Sequence, residues 1–306
     1  MPDISKINAL AIGSVSKVDG LAKASILDID GVAVPSGVAP PLDTFTNASA
    51  AYSIRLLRTA YTGSIMRVRR SSDNVEADVG FDSNNEFGLT SPISNPSSGG
   101  PFTDFADFVD HTGTPDIALV RKFYDQSGNA NDGDQATASQ QCVIYVAGEI
   151  YKLDGQPALD PSGGSSQMPT GLAAETSYKV FSVSSVSGSS DHVFLGTNNI
   201  NDYFLAMEQG STDTAISSNS GASVRRNGAT YSLTGKTRDD LHTDFTGQHL
   251  LYSDHDVTTT SGRTLQLGYT AGFRMLITQE VLIYPSTSTH TVSDIEDNQN
   301  AYFGIY

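Results

Sequence analysis

The chain of 306 residues contains no tryptophan and one cysteine, Cys142. A single cysteine excludes an intrachain disulfide, and its expected place is as a small buried apolar residue rather than a reactive thiol. Bases are few: 18 Lys and Arg stand against 34 Asp and Glu, a formal net charge of −16. Such a surface repels phosphate backbones and anionic lipid, so neither nucleic acid nor a membrane is an expected partner. The one basic cluster, Arg67, Arg69 and Arg70, is followed at once by Asp73, Glu76 and Asp78 and reads as a locally neutralised strand face. No apolar run is long enough to span a bilayer. The first residues lack the basic start and continuous apolar stretch of a secretory signal. That predicts synthesis in the cytoplasm, with any exit by a route such as lysis of the cell by a virus.

What the sequence does hold is short apolar runs punctuated by Gly, Ser, Thr, Asn and Asp. This is the texture of an all-β protein. Strand candidates are 64–70, 117–124, 142–147, 178–186, 192–196, 203–207, 264–269 and 274–284. In the last, Met275, Ile277, Val281 and Ile283 fall on one face at period two. Two helices are expected. One runs over 47–61, with Asn47 as N-cap, Tyr52, Leu56 and Ala60 at helical spacing, and Gly63 past its end. The other is C-terminal, with a capping box of Ser293 and Glu296 and with Ile295, Gln299 and Tyr302 along one face. Strands without βαβ alternation predict a two-sheet sandwich of the jelly-roll kind. A Pro/Gly-rich linker, "PSGVAPPLDTF", divides the chain into residues 1–37 and 38–306.

The first of these parts is a repeat: "ISKINALAIGS VSKVDGLAKAS ILDIDGVAVPS" stacks in blocks of eleven. Ile4, Val15 and Ile26 align, as do Ile7, Val18 and Ile29, and Leu10, Leu21 and Val32. Eleven residues over three turns is also a helical period, but Asp19-Gly20 and Asp30-Gly31 in mid-unit are turn signals. Each unit therefore reads as strand, tight turn, strand. Two strands alone are marginal in water, so the nine apolar positions are expected to bury against other copies or another protein.

"YDQSGNANDGD", 124–134, supplies Asx side chains and glycines for a rigid loop after a strand. Its oxygen side chains at Asp125, Asn129, Asp132 and Asp134 are also the candidate ligands for calcium, the one cofactor the sequence suggests. The six histidines show no metal-type spacing, and there is no G-x-S-x-G elbow, P-loop or strand-flanked GxGxxG.

Three stretches carry a family likeness: "AAYSIRLLRTAYTGSIMRVRRSSDNVEADVGF", "VRKFYDQSGNANDGDQAT" and "LQLGYTAGFRMLITQEVLIYPS" with "DIEDNQNAYF" after it. Together they resemble the catalytic domain of the fungal α-L-arabinofuranosidase B family, a concanavalin A-like sandwich, over most of 47–303. The resemblance implies a nucleophilic glutamate in a Met-Glu step, matched here by Met207-Glu208. The family's pocket aspartate falls on Ala206, and its following asparagines on Gln209 and Gly210. The loop that would carry the acid/base aspartate, 268–273, holds no carboxylate. The family's paired cysteines and pocket tryptophan are also missing. A glycosidase needs two carboxyl groups, so catalysis is not expected, and if it occurs Glu208 carries it. Tyr203 and Tyr269 beside Glu208 are candidates for stacking on a sugar.

The repeat is similar to N-terminal repeats of phage virion proteins. The sequence therefore predicts a non-enzymatic virion component: a tail fibre, spike or capsid decoration. It would assemble through 1–37 with other virion proteins as a homo-oligomer, a trimer above all, and display a lectin-like sandwich to host-surface glycan. The alternative is an arabinofuranosidase-like glycoside hydrolase.

Overall fold

The computed structural model describes residues 17–18, 21–22, 28–29, 32–33 and 37–306, the latter apart from 112, 114, 162–165, 174–176, 187, 189–190, 199–202, 215–222, 257–263 and 269–272. Two antiparallel sheets make a β-sandwich, the all-β class expected from the sequence. The smaller has six strands in the order Ala229–Tyr231, Ser223–Arg226, His249–Asp256, Ser177–Ser185, Ile277–Pro285, Ala50–Ser53. The larger has eleven. It runs from the edge strand Tyr203–Met207 through His192–Thr197, Thr264–Leu267, Met168–Ala173, Gly133–Asp134, Ala118–Phe123 and Met66–Arg70 to Glu76–Val79 and Ile93–Ser94. Cys142–Val146 also pairs with Ala118–Phe123.

The core lies between the sheets. Met66, Val68, Val120 and Phe123 of the larger sheet meet Val180, Val281 and Ile283 of the smaller. Burying such side chains, at roughly 1.5–3 kcal/mol each, is what closes the sandwich. A second layer covers the outer face of the six-stranded sheet, where Phe181, Tyr252, Leu282 and Tyr284 pack with Ile295 of the C-terminal helix Val292–Phe303.

The predicted strands appear at their places, with ends shifted by a few residues. In Ile277–Pro285 the expected stripe is broken, because a register shift between Val183 and Ser184 interrupts period two between Thr278 and Glu280. Cys142 is fully buried, with Sγ 3.2 Å from Met275 Sδ; burial pushes its thiol pKa up. The basic cluster is neutralised as expected. Arg67 pairs with Glu76 and Asp78 at 2.8 and 2.9 Å and Arg70 with Asp73 at 2.7 Å, while Arg69 bonds Gln141 and Asn74.

The helix expected over 47–61 is not there. Ala50–Ser53 is instead an edge strand paired with Ile277–Pro285, Tyr52 opposite Val281. Ala50, Ala51, Tyr52, Ser53, Ile54 and Arg55 are all buried, so this segment has no solvent face for an amphipathic helix. Asp125 also accepts a hydrogen bond from the Ala51 amide at 2.8 Å. Ladder bonds, burial and this side-chain bond together outweigh helix propensities that differ by tenths of a kcal/mol. Asn47, the expected cap, sits at φ +66°.

The C-terminal helix is present with Ile295, Gln299 and Tyr302 on its buried side, but its capping box is not. Thr291 occupies the N-cap position, and Glu296 is buried in an ion pair with Arg225 at 2.8 Å. Two further short helices, Phe105–Val109 and Arg238–Asp244, carry side-chain N-caps from Asp104 and Thr237.

In the repeat, Lys17–Val18 pairs with Leu21–Ala22 and Asp28–Ile29 with Val32–Ala33. Val18 lies opposite Leu21 and Ile29 opposite Val32, which leaves two residues between partners, as the turn signals predict. Ile4, Ile7, Leu10, Val15 and Ile26 lie outside the described residues.

Candidate functional site

Glu208 follows directly on the edge strand Tyr203–Met207, and Asp191 directly precedes its neighbour His192–Thr197. His192 pairs with Met207, so Asp191 and Glu208 flank the last pair of this ladder. The two acids feel one another: burial raises the Asp191 pKa first, and the negative charge of Glu208 raises it further. His192, His242 and Arg238 pull it back without cancelling the rise.

Arg238 organises the other side. Its Nη1 is 3.0 Å from Glu208 Oε2 and 3.5 Å from Asp213 Oδ2, and its Nη2 donates to the Tyr203 hydroxyl at 2.8 Å. Arg238 opens the helix Arg238–Asp244, where Thr237 and Asp240 form a reciprocal capping box. Backbone bonds from Glu208 N to Arg238 O and from Arg238 N to Asp213 O fasten this helix to the strand end. Asp239 accepts from the Gly210 amide at 2.7 Å. The Arg238 guanidinium is therefore presented from a fixed backbone.

Leu205 lies at φ +52° and interrupts the alternation of the edge strand. Tyr203 accordingly packs with Val193, Ala206 and Phe273 in a small outer cluster. The Tyr203 and Phe273 rings stack at 6.1 Å with an interplanar angle of 20°. Tyr203 and Glu208 are thus tied to one guanidinium, with Phe273 against the tyrosine ring. Sequence reasoning found Tyr203 and Glu208 but missed Asp191, Arg238 and Phe273, which become neighbours only through pairing and a helix 30 residues on. Tyr269 lies outside the described residues.

The calcium candidates do not converge. Asp125 accepts from the amides of Ala51, Ser127 and Asn131 and from the Ser127 hydroxyl. Asp132 accepts from the Asp125 amide and faces Lys122 at 3.3 Å, and Asp134 pairs with Arg121 and Lys122. Asn129 donates to Ala48 and Ser49 carbonyls. The three carboxylates are engaged by protein donors and cations, Asn129 is turned by its amide nitrogen onto the 48–49 carbonyls, and the loop acts as a clamp on the edge strand Ala50–Ser53. Among the described residues no group of three His, Cys, Asp or Glu side chains is placed to hold a metal ion.

The fold is a β-sandwich whose larger sheet ends in Glu208, Arg238 and Tyr203 in mutual contact, with Asp191 within reach of the Glu208 charge. No family model matches the chain, and no curated protein does. Among solved structures, an arabinofuranosidase complexed with arabinofuranosyl-α-1,2-xylobiose is similar with a TM-score of 0.48 at 13% identity, covering 88% of this chain and 66% of that one. A GH54 α-L-arabinofuranosidase soaked with a cyclic sulfate inhibitor gives 0.42 at 15% over the same shares. The chain thus spans just under two thirds of the length of these structures.

Proposed function

We propose that the sandwich engages a glycan at the outer edge of its larger sheet and that Asp191 and Glu208 act there on a glycosidic bond. The observation that carries this reading is the pair of acids flanking the last His192–Met207 pair, close enough for the Glu208 charge to add to the burial that raises the Asp191 pKa. Glycoside hydrolysis asks for two carboxyl groups in different protonation states, and environments that push two acids apart assign the roles. Asp191, which keeps its proton to higher pH, protonates the leaving glycosidic oxygen as that bond breaks. Glu208, held by Arg238, attacks the anomeric carbon and forms a glycosyl ester. Water then displaces Glu208, giving its proton to Asp191. Retaining enzymes hold their two carboxyls about 5–5.5 Å apart and inverting ones about 6.5–9.5 Å apart, so the configuration of the released sugar reports that separation. Tyr203 and Phe273 offer an apolar face for a sugar ring. Hydrolysis of nitrophenyl glycosides, α-L-arabinofuranoside first, tests it. Asp191→Asn and Glu208→Gln should each lower kcat by about 100-fold or more. Absence of turnover in the wild type, or equal turnover in both variants, refutes hydrolysis.

A second reading keeps the glycan and drops the cleavage: a virion component displaying the sandwich to host glycan. What supports it is the hairpin pairing in the second and third repeat units, since two strands alone are marginal in water. Deleting 1–37 and measuring mass in solution tests it. An oligomer, with three copies expected, should fall to a monomer; an unchanged mass removes this reading.

A further inference from the structure

A cavity of about 630 Å³ opens elsewhere on the molecule, between the segment around Glu86, the hairpin at 149–157 and the C-terminal helix. None of its lining residues belongs to the Asp191–Glu208 site. We propose that it is a binding site for a neutral saccharide. Its size suits one or two sugar rings, since small-ligand pockets run from about 300 to 1,000 Å³.

The chemistry of the lining is acceptor-rich. Gln156 Oε1 is buried without a hydrogen-bond partner, while its Nε2 donates to the Tyr302 carbonyl at 3.3 Å. Glu86 accepts from the Tyr302 hydroxyl, and burial raises its pKa. A buried acceptor left unpaired asks for a ligand donor, and sugar hydroxyls supply several at once. The walls between these groups are apolar: Ile150 lies inside, and Leu89 is 44% exposed. That mix of apolar wall and a few aimed polar atoms suits the alternating C–H and O–H surface of a sugar ring. The lining carries charge of both signs, Lys152 with Glu149 and Glu86, and no cluster of one sign. This favours a neutral ligand over an ion. The inference does not rest on hydrolysis at the first site.

The test uses the full chain and titrates D-glucose, D-galactose, D-xylose and L-arabinose separately, followed by ¹⁵N–¹H NMR shifts. At least one sugar should shift the Gln156 side-chain amide with a millimolar Kd. Gln156→Ala and Leu89→Arg should weaken that binding about tenfold or more. The second change is at an exposed position, so folding survives it and the test holds even where Gln156→Ala is unstable. The double variant Asp191→Asn/Glu208→Gln should retain the cavity shifts, which separates this site from the first. Saturating sugar with no shift at Gln156, equal affinity in the variants, or binding of glucosamine alone would overturn the proposal, the last by showing that an ammonium group is what binds.

Discussion

The buried ion pair beneath the C-terminal helix offers the sharpest test of how the fold is held. Arg55 and Glu280 are 3% and 0% exposed. Their contact is bidentate, Nε to Oε2 at 2.7 Å and Nη2 to Oε1 at 3.0 Å. Glu280 also accepts from Ser53 Oγ at 2.9 Å and Gln299 Nε2 at 3.1 Å, and the guanidinium lies 4.2 Å from the Tyr302 ring centroid. Arg55→Met removes one charge and leaves the other buried. Breaking such a pair from one side costs about 3–5 kcal/mol. Unfolding entropy of about 2.1 cal/mol/K per residue makes this a melting shift of roughly 5–8 °C for a chain this long. Calorimetry and urea unfolding read both figures. The double variant Arg55→Met/Glu280→Met should recover most of the loss, because replacing both charges removes the uncompensated one. If the single variant loses less than about 1 kcal/mol, or the double variant loses the sum of the singles, the desolvation argument fails.

Other outcomes follow from the same contacts. Asp125→Ala strips acceptors from three backbone amides and should cost at least about 3 kcal/mol in urea unfolding, since hydrogen bonds to charged groups contribute about 1.5–3 kcal/mol each. Gly268 sits at φ +81°, and a Cβ there would lie 2.6 Å from the Met275 amide nitrogen; Gly268→Ala should lower the melting temperature by several degrees, while the open Gly155→Ala change meets no such neighbour. Asp191 has a folded pKa above its unfolded value. Its proton is held more tightly in the folded state, so its favourable contribution is full below the unfolded pKa and fades as pH rises through the folded one. Asp191→Asn should therefore stabilise the protein at pH 8 relative to wild type and change little at pH 3, measured by melting across pH. Glu208→Gln removes the like charge and should move the Asp191 titration, followed by NMR, to lower pH.

Much was legible in local pattern. The β class, the positions of the long strands, the buried face of the terminal helix and the hairpins of the repeat all follow from side-chain period and turn residues, which act over a few positions. Glu208 and Tyr203 were visible because they sit in one short run. The segment 47–61 was misleading for a physical reason: Tyr52, Leu56 and Ala60 are helically spaced, but what fixes Ala50–Ser53 is a partner strand more than 200 residues away and a carboxylate from the loop at 125.

The acid pair shows the division most clearly. Nothing near Asp191 in sequence marks it, and the loop expected to supply the second carboxylate is empty of one. Strand pairing alone brings Asp191 within reach of the Glu208 charge, a helix cap alone delivers Arg238, and together they decide the charges each group feels. The loop at 124–134 shows the same cause, since carboxylates that look free there are engaged by amides and cations, several of them from other strands. The sequence by itself determined the strands, the turns and the stock of reactive groups, because those obey local sterics and burial. Which groups meet was decided only by the tertiary structure, because long-range pairing is set by the whole core and by no short stretch of chain.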